Sequence, residues 1–264
     1  MGKTGTENKR MYDSPPIIYW TLYEAGDYRS GLVPMTPASF LHPLELQRME
    51  EVRLRLRRDA FLIGRWAAKA LLKRTQPAMQ HLPLCRVFLG GDVNGLMDLT
   101  TDRQTVSGCL AISTSGRQAF CAVTYRDDLP LGASLEHIHP RADSFLVDYF
   151  TRLEIQELRG YPAAVQNAWM ALGWSVKAAV LTALGTELRV EAREIVVSIP
   201  NLLAAKNPMQ AWLPVELISA PGGGDGWKVM WQLRGEYIFT IAVWMGKSAI
   251  FQPVIKEVTL PEEA

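Results

Sequence analysis

Ala119-Phe120-Cys121-Ala122-Val123-Thr124-Tyr125, then Arg126-Asp127-Asp128-Leu129-Pro130, then Leu131-Gly132-Ala133-Ser134-Leu135-Glu136: two short runs flank a charged break that ends in proline. The first run is apolar and β-rich for six or seven residues, which is the pattern of a buried strand. The break interrupts it, and the second run reads as another short strand. The chain is thereby divided near residue 126, and strand, helix and strand recur on both sides without visible sequence repetition.

Upstream, Ile17-Ile18-Tyr19-Trp20-Thr21-Leu22-Tyr23 reads as the first strand, because β-branched and aromatic residues suit a pleated surface. From Pro43 to Arg74 apolar residues return at steps of three and four, which predicts one long amphipathic helix or two joined end to end. Its other face carries Arg53, Arg55, Arg57, Arg58, Arg65, Lys69, Lys73 and Arg74. Such a density suits a solvated face whose arginine stems cover apolar surface. It equally suits a phosphate-rich ligand lying across the helix, since guanidinium groups grip phosphate bidentately. Downstream, helices are expected near Ser144 to Arg159 and near Ala163 to Leu184, closed by Gly160 and Gly185. Short β-rich runs follow at Glu194–Ile199, Trp212–Ile218, Trp227–Leu233 and Tyr237–Met245, with Pro221–Gly226 as a hairpin tip.

Composition narrows the function. Twenty-eight basic against 27 acidic residues leave a formal charge of +1, so no whole-protein field draws the chain to nucleic acid or to a membrane surface. No apolar run approaches the roughly 18 residues that a span requires. Cys85, Cys109 and Cys121 form neither a CxxC pair nor an even disulfide framework, which fits a reducing, cytoplasmic setting. Residues 1–16 read as a polar, mobile tail, 17–126 as an N-terminal half with the basic helix, and 127–264 as a C-terminal half.

Five segments, in order, then carry a resemblance. They are Arg57-Arg58-Asp59-Ala60-Phe61-Leu62-Ile63-Gly64-Arg65; Ile112-Ser113-Thr114-Ser115-Gly116; Gly132-Ala133-Ser134-Leu135-Glu136; Phe150-Thr151-Arg152-Leu153-Glu154; and Trp174-Ser175-Val176-Lys177-Ala178-Ala179-Val180-Leu181. Over about residues 44 to 200 this pattern resembles the surfactin-type phosphopantetheinyl transferases. The resemblance implies an α+β fold of two pseudo-symmetric halves, each a small, mainly antiparallel sheet packed with helices, with coenzyme A in the cleft between them. It implies transfer of the phosphopantetheine arm to a serine of an acyl or peptidyl carrier protein, the expected partner, with magnesium bridging the coenzyme's pyrophosphate.

Carried over residue by residue, the resemblance assigns coenzyme binding to Arg57, Arg58, Arg65, Ser113, Thr114, Ser115 and Lys177. Glu136 takes the metal role, Glu136 and Lys177 are the catalytic residues, and Lys177 contacts a phosphate. Departures are equally specific. Ser134 stands where the family has the aspartate of its Asp-x-Glu strand, Ala178 where it has the third carboxylate, Thr114 where it has histidine, and Asp92-Val93-Asn94-Gly95 where it has Gly-Lys-Pro. Magnesium prefers oxygen ligands, commonly one or two carboxylates plus substrate phosphates, so the loss bears on the metal first.

Three functions therefore remain open: a weakened transferase, an enzyme recruited to act on a phosphopantetheine-tethered substrate, and a non-catalytic protein that binds coenzyme A or a carrier. Smaller signals have two readings each. His137 and His139 are a polar loop or a transition-metal pair; the six tryptophans from Trp169 to Trp244 are core or the lining of an acyl pocket; Cys109 is a buried apolar residue or a nucleophile.

Overall fold

The computed structural model describes residues 14–26, 31–90, 99–101, 105–185, 190–198, 211–246 and 251–260. In the first half the order is β1 (Ile17–Glu24), α1 (Pro37–Phe40), α2 (Pro43–Glu51), α3 (Arg55–Thr75), β2 (Val87–Leu89), β3 (Leu99–Thr101), β4 (Thr105–Val106), β5 (Cys109–Ser115) and β6 (Gln118–Thr124). The second half continues with β7 (Leu131–His137), α4 (Asp143–Tyr149), α5 (Arg152–Arg159), α6 (Ala163–Leu184), β8 (Val196–Ser198), β9 (Leu213–Ser219), β10 (Trp227–Arg234), β11 (Tyr237–Trp244) and β12 (Val254–Glu257). The tail expected through residue 16 lies outside the described residues as far as 13, as does the Asp92–Gly95 segment.

The chain is α+β, with two mainly antiparallel sheets packed with helices. One sheet runs β12-β1-β6-β5 and the other β7-β11-β10-β9-β8; β2-β3-β4 form a small third sheet. Alternation along the strands explains the layering. Ala119, Cys121 and Val123 of β6 face α3 and pack with Ile63, Ala67 and Leu71. Phe120 and Ala122 face the opposite way, into a core shared by both sheets with Ile18, Trp20, Leu131, Ala133, Leu135, Phe239 and Ile241. Trp20 and Phe239 each meet Phe120 edge-on and lie tilted to each other, with ring centroids 5.3 to 6.3 Å apart. Each such burial is worth about 1.5–3 kcal/mol, which makes the seam a hydrophobic joint.

The odd residues of β7 enter that joint, so Gly132, Ser134 and Glu136 turn toward α6. At Gly132 the approach is close: a Cβ there would lie 1.8 Å from the Ala179 carbonyl oxygen. Only glycine lets the helix sit so near the strand.

Residues 43–75 form two helices, one of the two arrangements expected, because α2 ends at Glu51 and Leu54 starts α3 anew. Other elements differ from the sequence expectation. The stretch expected to run from Ser144 to Arg159 also divides, because Thr151 caps α5. Its hydroxyl accepts from the Glu154 N–H, and the Glu154 carboxylate accepts from the Thr151 N–H at 2.8 Å. Ser113-Thr114-Ser115 belongs to a full strand, β5, turned into β6 by Gly116 at φ 58°. Strand β12, from the end of the chain, pairs in parallel with β1, so the first sheet takes its edge from the far side of the residue-126 seam.

One buried arrangement occurs twice. Glu45, third residue of α2, closes a capping box with His42 and takes the Lys69 ammonium of α3 at 2.5 Å, while Leu89 N–H donates to its other oxygen. Glu154, third residue of α5, takes the Lys177 ammonium of α6 at 2.9 Å, while Val197 N–H donates to it. Each lysine also donates to a carbonyl of the segment before the paired strand, Leu84 in one case and Ala192 in the other.

Candidate ligand-binding site

Helix α3 sets the site. Its C-terminal part, Ile63 to Leu72, is buried, and Lys73 and Arg74 favour the negative end of the helix. Its first turns protrude: Leu56 is 79% exposed, and Arg57 and Arg58 lie beside it in solvent. Arg58 donates to the Val52 carbonyl at 3.0 Å and so braces the joint between α2 and α3.

Arg57, Ala60, Phe61, Gly64 and Arg65 of this helix, with Ile112 and Thr114 of β5, line an open hollow of about 210 Å³. Gly64 makes it possible to bring β5 this near, since a Cβ would meet the Ile112 methyl at 2.9 Å. The Arg65 guanidinium lies 5.0 Å over the Phe61 ring and 3.5 Å from Glu45, and its Nε is buried without a hydrogen-bond partner. Burial lowers its pKa, with the nearby Glu45 acting in the opposite sense. Because Glu45 already holds Lys69, the trio Glu45–Lys69–Arg65 carries one positive charge more than it needs. That surplus sits in the wall of the hollow, next to exposed Arg57.

The structure therefore unites Arg57, Arg65 and Thr114, three of the seven residues that the resemblance assigns to coenzyme A. Ser113, on the other side of β5, accepts from the Leu135 N–H at 2.9 Å and ties that strand to β7. Ser115 is half-buried at the end of the strand, and Arg58 is turned to its brace.

Lys177 lies elsewhere. Its side chain is fully buried, and its ammonium is held by Glu154 and by the Ala192 and Ile195 carbonyls. Burial lowers its pKa, against the pull of Glu154. In this arrangement all three protons of the ammonium have partners within the protein, so Lys177 holds α6 against α5 and β8 instead of facing a ligand.

Glu136 stands at the end of β7, on the α6 side, and its carboxylate accepts from Arg141. Its pKa is raised because burial outweighs the Arg141 cation. Ser134 is buried on the same face, and Ala178 offers a methyl group. Among the described residues no group of three His, Cys, Asp or Glu side chains is placed to hold a metal ion. One arginine-bound carboxylate, a hydroxyl and a methyl group do not fit a magnesium shell.

His137 is half-buried and His139 exposed, whereas three of the tryptophans and Cys109 are core. The rings of His137 and His139 stack 5.8 Å apart; His137 also lies 3.4 Å from Glu236, and His139 contacts the His137 carbonyl. Trp169, Trp227 and Trp231 are buried core residues. Cys109 is buried, and burial pushes its thiol up to about 11, the reverse of an activated nucleophile.

Sequence reasoning missed Glu45 and Arg141. Glu45 had a signal, three residues after His42 and just past Pro43, but histidine is not among the usual capping residues. Arg141 had none, since no pattern in residues 137–140 shows that the chain carries it back over Glu136. No protein-family model matches this chain, and no curated protein matches it.

Proposed function

We propose that this chain is a phosphopantetheinyl transferase-like protein that binds coenzyme A, or a phosphopantetheine-bearing carrier protein, through the first half, without the magnesium-dependent transfer of the family it resembles. One observation carries this reading: the hollow at the start of α3 collects Arg57, Arg65 and Thr114 and leaves a surplus buried cation in its wall. A phosphate there would gain charge-assisted hydrogen bonds from Arg57 and the Thr114 hydroxyl, with the Arg65 charge behind them. An α+β chain of two sheets with a shared core is compatible with the two-halved fold of that family. The second half, with Lys177 and Glu136 both engaged, supports binding over transfer.

The experiment is calorimetric titration of coenzyme A, joined to intact-mass analysis of an apo carrier protein incubated with this protein, coenzyme A and magnesium. Saturable binding is expected, weakened roughly tenfold, or about 1.4 kcal/mol, in Arg57→Ala, with no change in carrier mass. Absence of binding would overturn the reading. A mass gain of one phosphopantetheine arm would return the protein to the transferases.

A further inference from the structure

Resting on the coenzyme-binding reading above, we propose that Arg141 is a resident cation that takes the place of the divalent metal at Glu136, so that this protein handles its phosphorylated ligand without any bound metal.

Glu136 is the single carboxylate left of the expected three. Its side chain is 18% exposed and that of Arg141 is 10% exposed, so the ion pair is largely withdrawn from water. Arg141 is fixed from its other side as well: its guanidinium lies 4.2 Å over the Phe145 ring, which belongs to the first turn of α4. The partners are only five positions apart in the chain, so the guanidinium is tethered beside the carboxylate and its approach is intramolecular, whereas a metal ion must come from solution. Arginine also keeps its charge at every accessible pH. Other titratable groups at this end of β7 are Glu236, His137 and His139, and Glu236 is turned to His137.

Two consequences follow. Chelation of divalent metal leaves ligand binding unchanged. Restoring the missing carboxylates does not by itself create a metal site, because Arg141 still occupies Glu136.

Manganese binding, read by electron paramagnetic resonance, tests this without reference to activity. Wild type and the Ser134→Asp/Ala178→Glu variant are expected to leave manganese free at millimolar concentration. Adding Arg141→Ala to that pair is expected to tighten binding at least tenfold over the pair alone. Equal binding in the double and triple variants, or firm binding by wild type, would overturn the proposal. If the triple variant does not fold, the wild-type arm still decides, together with coenzyme A titration in excess chelator against excess magnesium. Equal affinities in the two buffers support the proposal, and a magnesium requirement overturns it. If coenzyme A binds in neither buffer, the ligand reading fails, and the manganese arms judge the Arg141 substitution by themselves.

Discussion

Glu45 in the first half and Glu154 in the second do the same structural work with different electrical outcomes. Both start a helix with a capping box, both bury a lysine from the long helix, and both accept a strand N–H. At Glu154 the additional contact is the Thr151 hydroxyl at 2.8 Å, which is neutral. At Glu45 it is Arg65 at 3.5 Å, which is charged. The second half has therefore neutralised its buried lysine, while the first half retains an unbalanced cation in the wall of an open hollow. A lysine on a long helix is not a ligand contact by virtue of position. What decides is whether its charge is already matched inside the protein.

The largest effects should come from deleting the carboxylates. Removing one partner of a buried pair costs about 3–5 kcal/mol. Glu154→Ala is expected to fall in that range by urea denaturation. Glu45→Ala should cost more, because it strands both Lys69 and Arg65. Equal losses would show that Arg65 does not draw on Glu45 and would remove the asymmetry.

Next come the two glycines at which helix and sheet close together. At Gly132 a methyl group would strike the backbone of α6, at the Ala179 carbonyl, whereas at Gly64 it would strike the side-chain methyl of Ile112. Overpacking against backbone has no rotamer escape, so Gly132→Ala should cost about 3 kcal/mol or more and Gly64→Ala about 1–2 kcal/mol. Gly64→Ala should also disturb the hollow, and calorimetry with coenzyme A should register the loss there and not in the more severe destabilisation at Gly132, for whatever fraction remains folded.

A milder test concerns Lys177, which the resemblance assigns to a phosphate, together with its partner Glu154. Replacing both partners, Lys177→Met with Glu154→Gln, removes two buried charges together, which costs far less than stranding one, while the glutamine keeps a side-chain acceptor for the backbone N–H groups that Glu154 serves. Stability within about 1–2 kcal/mol of wild type, with unchanged affinity for coenzyme A, is expected. A tenfold loss of affinity in the folded double variant would return Lys177 to the ligand and break the comparison.

Much of the architecture was legible in advance, for a physical reason. Strands β1, β6, β10 and β11 are dense in β-branched and aromatic residues, β7 follows a charged break that ends in proline, and helix α6 is bounded by Pro162 and by Gly185 in the left-handed region. Local chemistry suffices for these. Strand β5 was harder to read because Ser113-Thr114-Ser115 is polar and small, and β12 because a four-residue edge strand has little pattern of its own. The arginines and Thr114 of the hollow were named from the sequence. That Arg65 faces Glu45 and that Lys177 is buried against Glu154 are consequences of tertiary approach, and that Arg141 covers Glu136 depends on the path of the loop after β7; one side chain's chemistry does not encode its partner.

The smallest expected effect is on titration. Burial lowers the pKa of both Lys69 and Lys177, and their carboxylates oppose the shift; at Lys69 the Arg65 cation lowers it further, and no such cation acts on Lys177. The unfolded chain keeps these protons up to about 10.5, whereas the folded chain releases them earlier. In the window just below 10.5 the unfolded state thus binds more protons, and this contribution to stability rises with pH. The buried thiols act in the opposite sense above pH 9, Cys109 being pushed up to about 11, so a bulk denaturation curve mixes the two. Nuclear magnetic resonance of lysine ¹³Cε separates them. Arg65→Met should raise the Lys69 midpoint and leave that of Lys177 unmoved, because the removed charge faces only the first pair. If both midpoints move together, or neither does, Arg65 is not the element that makes the two halves electrically unequal, and the surplus cation of the hollow must be sought in Arg57 alone.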